Sequence, residues 1–284
     1  MDIFQALFLG ILQGLTEFLP VSSSAHLVFV PWLLGWEDKA VTSIQFDVAL
    51  HMGTLLAVLV YFAADWRRLI AAFFASVFER RIGDDPDRRL VWLILIGTIP
   101  AALVGLLAES KINDIFHDPQ NLRTGLLVIA VMMIVMGVLL LLAERVGKHA
   151  LTLEGIRLPT AVLVGVAQAL ALIPGVSRSG STITAGLFAG LKREAAARFS
   201  FLLATPVVLG AGLKQVYNLV QEGGIPADLQ LGFLVGFAAS AISGFLCIFL
   251  LLRYLQRNST APFIWYRFMV GAALLVLVLA GFRS

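Results

Sequence analysis

The stretch "EFLPVSSSAH", residues 17–26, sets a carboxylate, three consecutive hydroxyls and an imidazole between two apolar runs. Glu17 and His26 are groups that accept and donate protons, and Ser23 between them is a hydroxyl that can attack or orient an attacking water. A second stretch, "PGVSRSGST" at 174–182, gathers Ser177, Ser179, Ser181 and Thr182 around Arg178. Pro174 and Gly175 supply a turn there, and Gly180 permits close approach. A guanidinium fork, clustered hydroxyls and the start of an apolar helix together favour a phosphate oxyanion. Each stretch also has a plainer reading. Glu17 and Arg178 can neutralise one another without chemistry, and a Ser/Thr-rich segment can be an ordinary helix cap.

The surroundings decide how much weight these groups carry. Of 284 residues, 59% are hydrophobic and only 14% charged, against about 25% charged in soluble domains. The mean hydropathy is +0.91. Apolar runs at 46–64, 90–109, 123–143, 197–220, 230–254 and 262–282 are long enough to cross hydrocarbon as helices. The chain reads as an all-α polytopic membrane protein, in which an ionisable residue at membrane depth is a functional candidate by default. The opening segment has no basic leader or cleavage pattern, so it does not read as a removable signal. Cys247 is the only cysteine, which excludes a disulfide framework and a cysteine metal site; it reads as a small buried hydrophobe. The sequence holds no zinc-type histidine spacing and no Walker loop. The excess of basic residues gathers in short loops, so it argues for membrane topology rather than nucleic acid.

Residues 3–34 and 159–191 are apolar but broken by the two polar stretches, and each half is too short to cross alone. Such pairs read as re-entrant hairpins, whose irregular backbone must be buried or line a cavity. The two also match. "LGILQGLTEFLPVSSS" at 9–24 parallels "VGVAQALALIPGVSRS" at 164–179, with Gly10 opposite Gly165, Gln13 opposite Gln168 and Ser22–Ser24 opposite Ser177–Ser179. Each hairpin precedes three full spans, an odd number, which predicts two inverted-topology repeats within one membrane domain of residues 1–284, at about 1–145 and 155–284. Numbering loops alternately, with the segment before residue 46 outside, puts fourteen lysines and arginines inside and five outside, the bias expected of short-loop proteins. Arg178 and Arg267 remain at membrane depth. The first hairpin then opens outward, the second inward, and their tips converge near the midplane.

Weaker candidates surround these. His51 and Asp47 lie one helical turn apart and suit a hydrogen-bonded pair or a cavity wall. Gln13 and Gln168 are placed to bond the opposing hairpin. Arg193 either snorkels to the interface or meets substrate charge. His117 and His149 read as solvated loop residues.

At "QGLTEFLPVSSSAH" (13–26) and "PGVSRSGST" (174–182) the sequence resembles the undecaprenyl-diphosphatase family, also known as bacitracin resistance proteins, and the likeness runs over the whole chain. It implies hydrolysis of undecaprenyl diphosphate to the monophosphate at the outer face of a bacterial plasma membrane, recycling the lipid carrier for peptidoglycan. It further implies a divalent cation, Mg²⁺ or Ca²⁺, with Glu17 as a ligand. The family's first motif begins with glutamate or glutamine, here Gln13, which stands against a two-carboxylate metal site.

The expected catalytic set is Glu17, Ser23, His26 and Arg178, and the expected substrate-binding set is Gln13, Ser22, Ser24, Ser177, Ser179, Thr182 and Arg193. Arg178 and the hydroxyls of the second stretch take the diphosphate oxygens. Ser23 attacks or orients water, and Glu17 and His26 divide the acid, base and metal-holding roles. The prenyl tail lies among membrane lipids between spans. Nucleic acid is not a partner, and a homodimer stays open. The rival reading is a transporter or flippase for polyprenyl phosphate, since inverted repeats with broken helices are also transporter architecture.

Overall fold

The computed structural model describes residues 1–36, 38–116, 122–221 and 223–283, with 108–116 described by backbone alone. His117 lies outside the described residues. Eleven α-helices and one 3₁₀ turn (Leu153–Gly155) account for the helical structure among these residues: α1 (Ile3–Phe18), α2 (Ser23–Leu34), α3 (Ile44–Tyr61), α4 (Ala63–Phe78), α5 (Pro86–Phe116), α6 (Leu122–Val146), α7 (Leu158–Leu170), α8 (Arg178–Phe188), α9 (Arg193–Gln221), α10 (Gln230–Leu255) and α11 (Ala261–Leu279). Helices α3, α5, α6, α9, α10 and α11 are long and apolar enough to cross a bilayer. They mark a multi-pass membrane protein.

The broken segments fold as the short helix pairs α1–α2 and α7–α8. Helix α1 stops at Phe18 because Pro20 follows: proline has no amide to donate, and it pushes the residue before it out of the helical region. Helix α7 stops at Leu170, and a run of turns through Pro174 and Gly175 (φ +94°) leads to α8. No helix of either pair exceeds 16 residues, so none spans hydrocarbon alone.

The sequence reading treats 65–89 as a loop, and the structure corrects it with α4. Its 16 residues are too few to span, and their apolar side chains are split between two faces. Leu69 is buried, and Ser76 accepts a hydrogen bond from Trp92 Nε1 on α5 at 2.9 Å. Ile70, Phe74, Val77 and Phe78 face outward. Flanking charges hid this helix from a span-length criterion.

Glycine sets the close contacts that position the hairpins. Helix α1 packs on α10, with Gly10 against the Gly236 backbone and Gly14 against Ser240 and Gly244. Helix α7 packs on α5 in the matching way, Gly165 against Gly97. Without a hydrophobic drive between helices in lipid, such small-residue contacts carry the association. A Cβ at Gly10 would stand 2.5 Å from the Gly236 carbonyl oxygen and 2.7 Å from Ala239 Cβ. Backbone cannot move aside as a side chain can, so Gly10→Ala is expected to destabilise by about 1–3 kcal/mol. Thermal unfolding in detergent checks this, with Gly105→Ala as the control: nothing lies within 4 Å of that site, so the control should not lose stability.

Candidate active site

The second helix of each pair begins with a serine in an unusual backbone conformation. Ser22 has φ +76°, ψ +94° and caps α2; Ser177 has φ +73°, ψ +122° and caps α8. Positive φ costs a side-chain-bearing residue on the order of 1–3 kcal/mol and persists where surroundings over-determine it. The local bonding repeats as well. Ser22 Oγ accepts from the Ala25 amide at 3.4 Å, and Ser177 Oγ from the Gly180 amide at 3.0 Å. Each cap hydroxyl also meets the serine two residues on, Ser22–Ser24 at 3.3 Å and Ser177–Ser179 at 3.2 Å.

Two further contacts lock the tips together. Ser179 Oγ donates to the Leu19 carbonyl at 2.9 Å. Arg267 of α11, fully buried, donates through Nε to the Pro20 carbonyl (2.5 Å), through Nη1 to Gly175 (3.2 Å) and through Nη2 to Val176 (3.0 Å). Gly180 has no Cβ because Arg267 Nη2 occupies that space; its expected close approach is to this guanidinium. Sequence reasoning left Arg267 unassigned at membrane depth. The signal for it was present, a buried charge with no carboxylate nearby in sequence, but not the tertiary contact that explains it.

Held this way, the tips bring Glu17, Ser23 and Arg178 together. Glu17 is 6% exposed. Its Oε2 accepts from Ser23 Oγ at 2.5 Å and from Gln13 Nε2 at 3.1 Å, while Oε1 pairs with Arg178 Nη2 across 161 residues of sequence. Charge-assisted hydrogen bonds of this kind are the strong ones. His51 joins from α3. Its Nδ1 meets the Asp47 carbonyl at 2.8 Å, which fixes that nitrogen as a donor, and Nε2 faces Glu17 Oε2 at 3.7 Å. The hydrogen-bonded pair expected of His51 and Asp47 is present, made through the Asp47 backbone carbonyl, and His51 lines the cavity as well. A polar face on an otherwise apolar span was the signal, but only the crossing of α1 and α3 tells what it meets.

Glu17, Ser23, Ser24, His51, Gln168, Ser177 and Arg178 line a cavity of about 280 Å³, whose remaining wall includes Val48, Met52, Ala101, Leu172, Val207 and Val208. Other expected site residues are spent elsewhere. His26 is 1% exposed; Nδ1 donates to the Ser22 carbonyl and Nε2 meets Tyr266 Oη, both at 2.6 Å. Its ring thus braces the first tip against α11 and does not reach Glu17. Thr182 Oγ1 bonds the Arg178 carbonyl (2.6 Å) and Ser200 Oγ (2.5 Å). Arg193 donates to Glu144 Oε1 on α6 at 2.8 and 2.5 Å, and Glu144 also accepts from Thr260 Oγ1 at 2.9 Å, a link among α6, α9 and α11 away from the cavity. Gln13 serves Glu17 on its own helix, and Gln168 meets no partner among the described residues, so neither is seen to bond the opposing hairpin. Cys247 is buried.

Among the described residues, no three of His, Cys, Asp and Glu gather to hold a metal. The Glu17 carboxylate is the donor at hand; Gln13 Oε1 has no hydrogen-bond partner among the described residues and does not line the cavity. The Glu17 carboxylate, which lines the cavity, fits as one hard ligand of a cation that draws its others from phosphate and water.

An acid, a hydroxyl and an arginine thus converge between two broken helix pairs of a multi-pass membrane protein. The family model described as "Bacitracin resistance protein BacA" matches residues 6–273, and the chain belongs to that family. It is 48% identical over 278 residues to a protein of Thermomicrobium roseum named undecaprenyl-diphosphatase, covering 98% of this chain and 99% of that one. Proteins of the same name from Geobacter sulfurreducens (48% over 280 residues, 99% and 100% covered) and Desulforudis audaxviator (45% over 279, 98% and 99%) are similarly close.

Proposed function

We propose that the chain is an integral membrane phosphatase that hydrolyses undecaprenyl diphosphate to undecaprenyl phosphate and inorganic phosphate, returning the lipid carrier to wall synthesis and so conferring bacitracin resistance. The observation that carries this is the Glu17–Ser23–Arg178 cluster in a cavity with an apolar wall, in a chain whose close relatives bear that name. The diphosphate enters with its terminal phosphate against Arg178, and the prenyl tail runs out over Val48, Met52 and Val208 into lipid. As phosphate oxygens claim the guanidinium, the Glu17 carboxylate is left free to take the Ser23 proton.

Ser23 Oγ then attacks the terminal phosphorus. One O–P bond forms, and the bond from that phosphorus to the bridging oxygen breaks, its electron pair leaving with the lipid monophosphate. Water next displaces Ser23 from the phosphoserine, giving inorganic phosphate, and Ser23 regains a proton. Arg178, Ser24, Ser177 and the N-terminal ends of α2 and α8 stabilise the equatorial oxygens, as phosphoryl transfer chiefly requires. A Mg²⁺ or Ca²⁺ held by Glu17 would supply neutralisation of the diphosphate charge.

The proposal includes topology. Repeats at about 1–145 and 155–284 are taken as inverted, with the cavity reached from the outer face of the plasma membrane. Supporting this are the matched strained serines Ser22 and Ser177, the matched glycine contacts of α1 and α7, and the fourteen-to-five distribution of basic residues.

Phosphate release by the purified protein in detergent, with no gradient present, separates this from the rival lipid carrier, which would release none; the relatives' names also favour hydrolysis. Ser23→Ala is expected to lower kcat about 10²-fold to 10³-fold, in the range of a lost positioned catalytic group. Turnover near the wild-type rate in Ser23→Ala would transfer the attack to water.

A further inference from the structure

Gln168 of α7 is 3% exposed and lines the cavity, yet neither its Nε2 nor its Oε1 has a hydrogen-bond partner among the described residues. A buried amide left this way loses its bonds to water with no return, and folded proteins satisfy the large majority of such groups. Its counterpart in the sequence match, Gln13, shows what the position does when supplied, donating to Glu17 four residues on. Four residues on from Gln168 stands Leu172, whose side chain offers no oxygen. No described residue meets either atom, and the side chain borders the cavity that also holds Arg178 and Ser177, so the geometry leaves a bound group as the partner.

An amide presents a donor and an acceptor side by side and carries no charge. A fully ionised oxyanion satisfies the donor alone. A phosphate group that keeps one proton satisfies both, its P–O⁻ accepting from Nε2 and its P–OH donating to Oε1. We propose that Gln168 is a specificity-determining contact for a singly protonated phosphate group. Two sources share that chemistry: the terminal phosphate of the diphosphate substrate and the inorganic phosphate produced from it. The first source rests on the phosphatase reading; the second requires only free phosphate.

The test compares wild type with Gln168→Leu, which keeps the volume and removes both polar atoms. Without ligand, Gln168→Leu should unfold at or above the wild-type temperature, since an unsatisfied amide is gone. Inorganic phosphate should raise the wild-type unfolding temperature more than sulfate does at neutral pH, because sulfate carries no proton. That difference should vanish in Gln168→Leu. In turnover, a KM for the diphosphate raised about 10-fold, the size of one lost bond to a charged group, assigns the contact to substrate. An unchanged KM with phosphate inhibition weakened by a similar factor assigns it to product. The proposal is overturned if Gln168→Leu unfolds at a lower temperature, or discriminates phosphate from sulfate as wild type does with KM and phosphate inhibition both unchanged. Wild-type protein that releases no phosphate from the diphosphate lipid sinks the phosphatase reading, and the phosphate–sulfate comparison still decides what the amide binds.

Discussion

Glu17→Gln is expected to lower kcat for phosphate release by about 10³-fold to 10⁴-fold, the upper part of the range for a lost general base, while KM stays level or falls. The reasoning follows the bonds that the carboxylate makes. Its Oε2 is the sole carboxylate acceptor of the Ser23 proton in the described site, and an amide oxygen cannot hold that proton. Its Oε1 holds Arg178, so in the proposed mechanism neutralising it releases the guanidinium to phosphate. Arg178→Lys should show the converse, with KM up by about 10-fold to 100-fold because a point charge replaces a planar fork, and a smaller fall in kcat. Steady-state kinetics on both variants read this split. A rise in KM with little change in kcat for Glu17→Gln would make Glu17 a binding group and take the base role from it.

Much of this arrangement was legible in the residues themselves. Six apolar runs gave the six long helices, because hydrocarbon thickness sets a length that sequence must meet. Pro20 and Pro174 with their flanking serines gave both breaks, since proline and irregular backbone are tolerated at depth only in a protected place. The likeness of 9–24 to 164–179 suggested that Glu17 and Arg178 lie close, and the two do meet as an ion pair. What stayed illegible depended on side-chain direction. The residue type of His26 says that it can move protons, but its ring orientation follows from Ser22 and Tyr266, 240 residues away. Arg193 has the right charge but sits beyond α8, where Glu144 takes it. His51 reaches Glu17 only because α3 lies alongside α1, and helix α4 was too short and too charged at its flanks to register as an element.

Arg267→Met should unfold the molecule several degrees earlier and reduce kcat at least 10²-fold, although Arg267 need touch no substrate. The substitution roughly conserves volume and removes five donors. Three carbonyls, of Pro20, Gly175 and Val176, then lose their partner, at about 1–3 kcal/mol for each left unsatisfied. Removing an unpaired buried charge offsets part of that loss, which keeps the thermal shift moderate. The kinetic effect is larger because of where the carbonyls lie. Val176 directly precedes Ser177, and Pro20 stands two residues before Ser22, the two residues held at positive φ. With the tie gone, each tip can relax toward an ordinary turn and carry Ser23 and Arg178 with it. A displacement near 1 Å is enough to cost about 10²-fold in a positioned reaction. Gly180→Ala, which intrudes on the same guanidinium, should reproduce the kinetic loss with all three reactive side chains intact. Wild-type kcat in both variants would mean that the tips hold their shape without Arg267, and that the caps and the Ser179–Leu19 bond suffice to set the site.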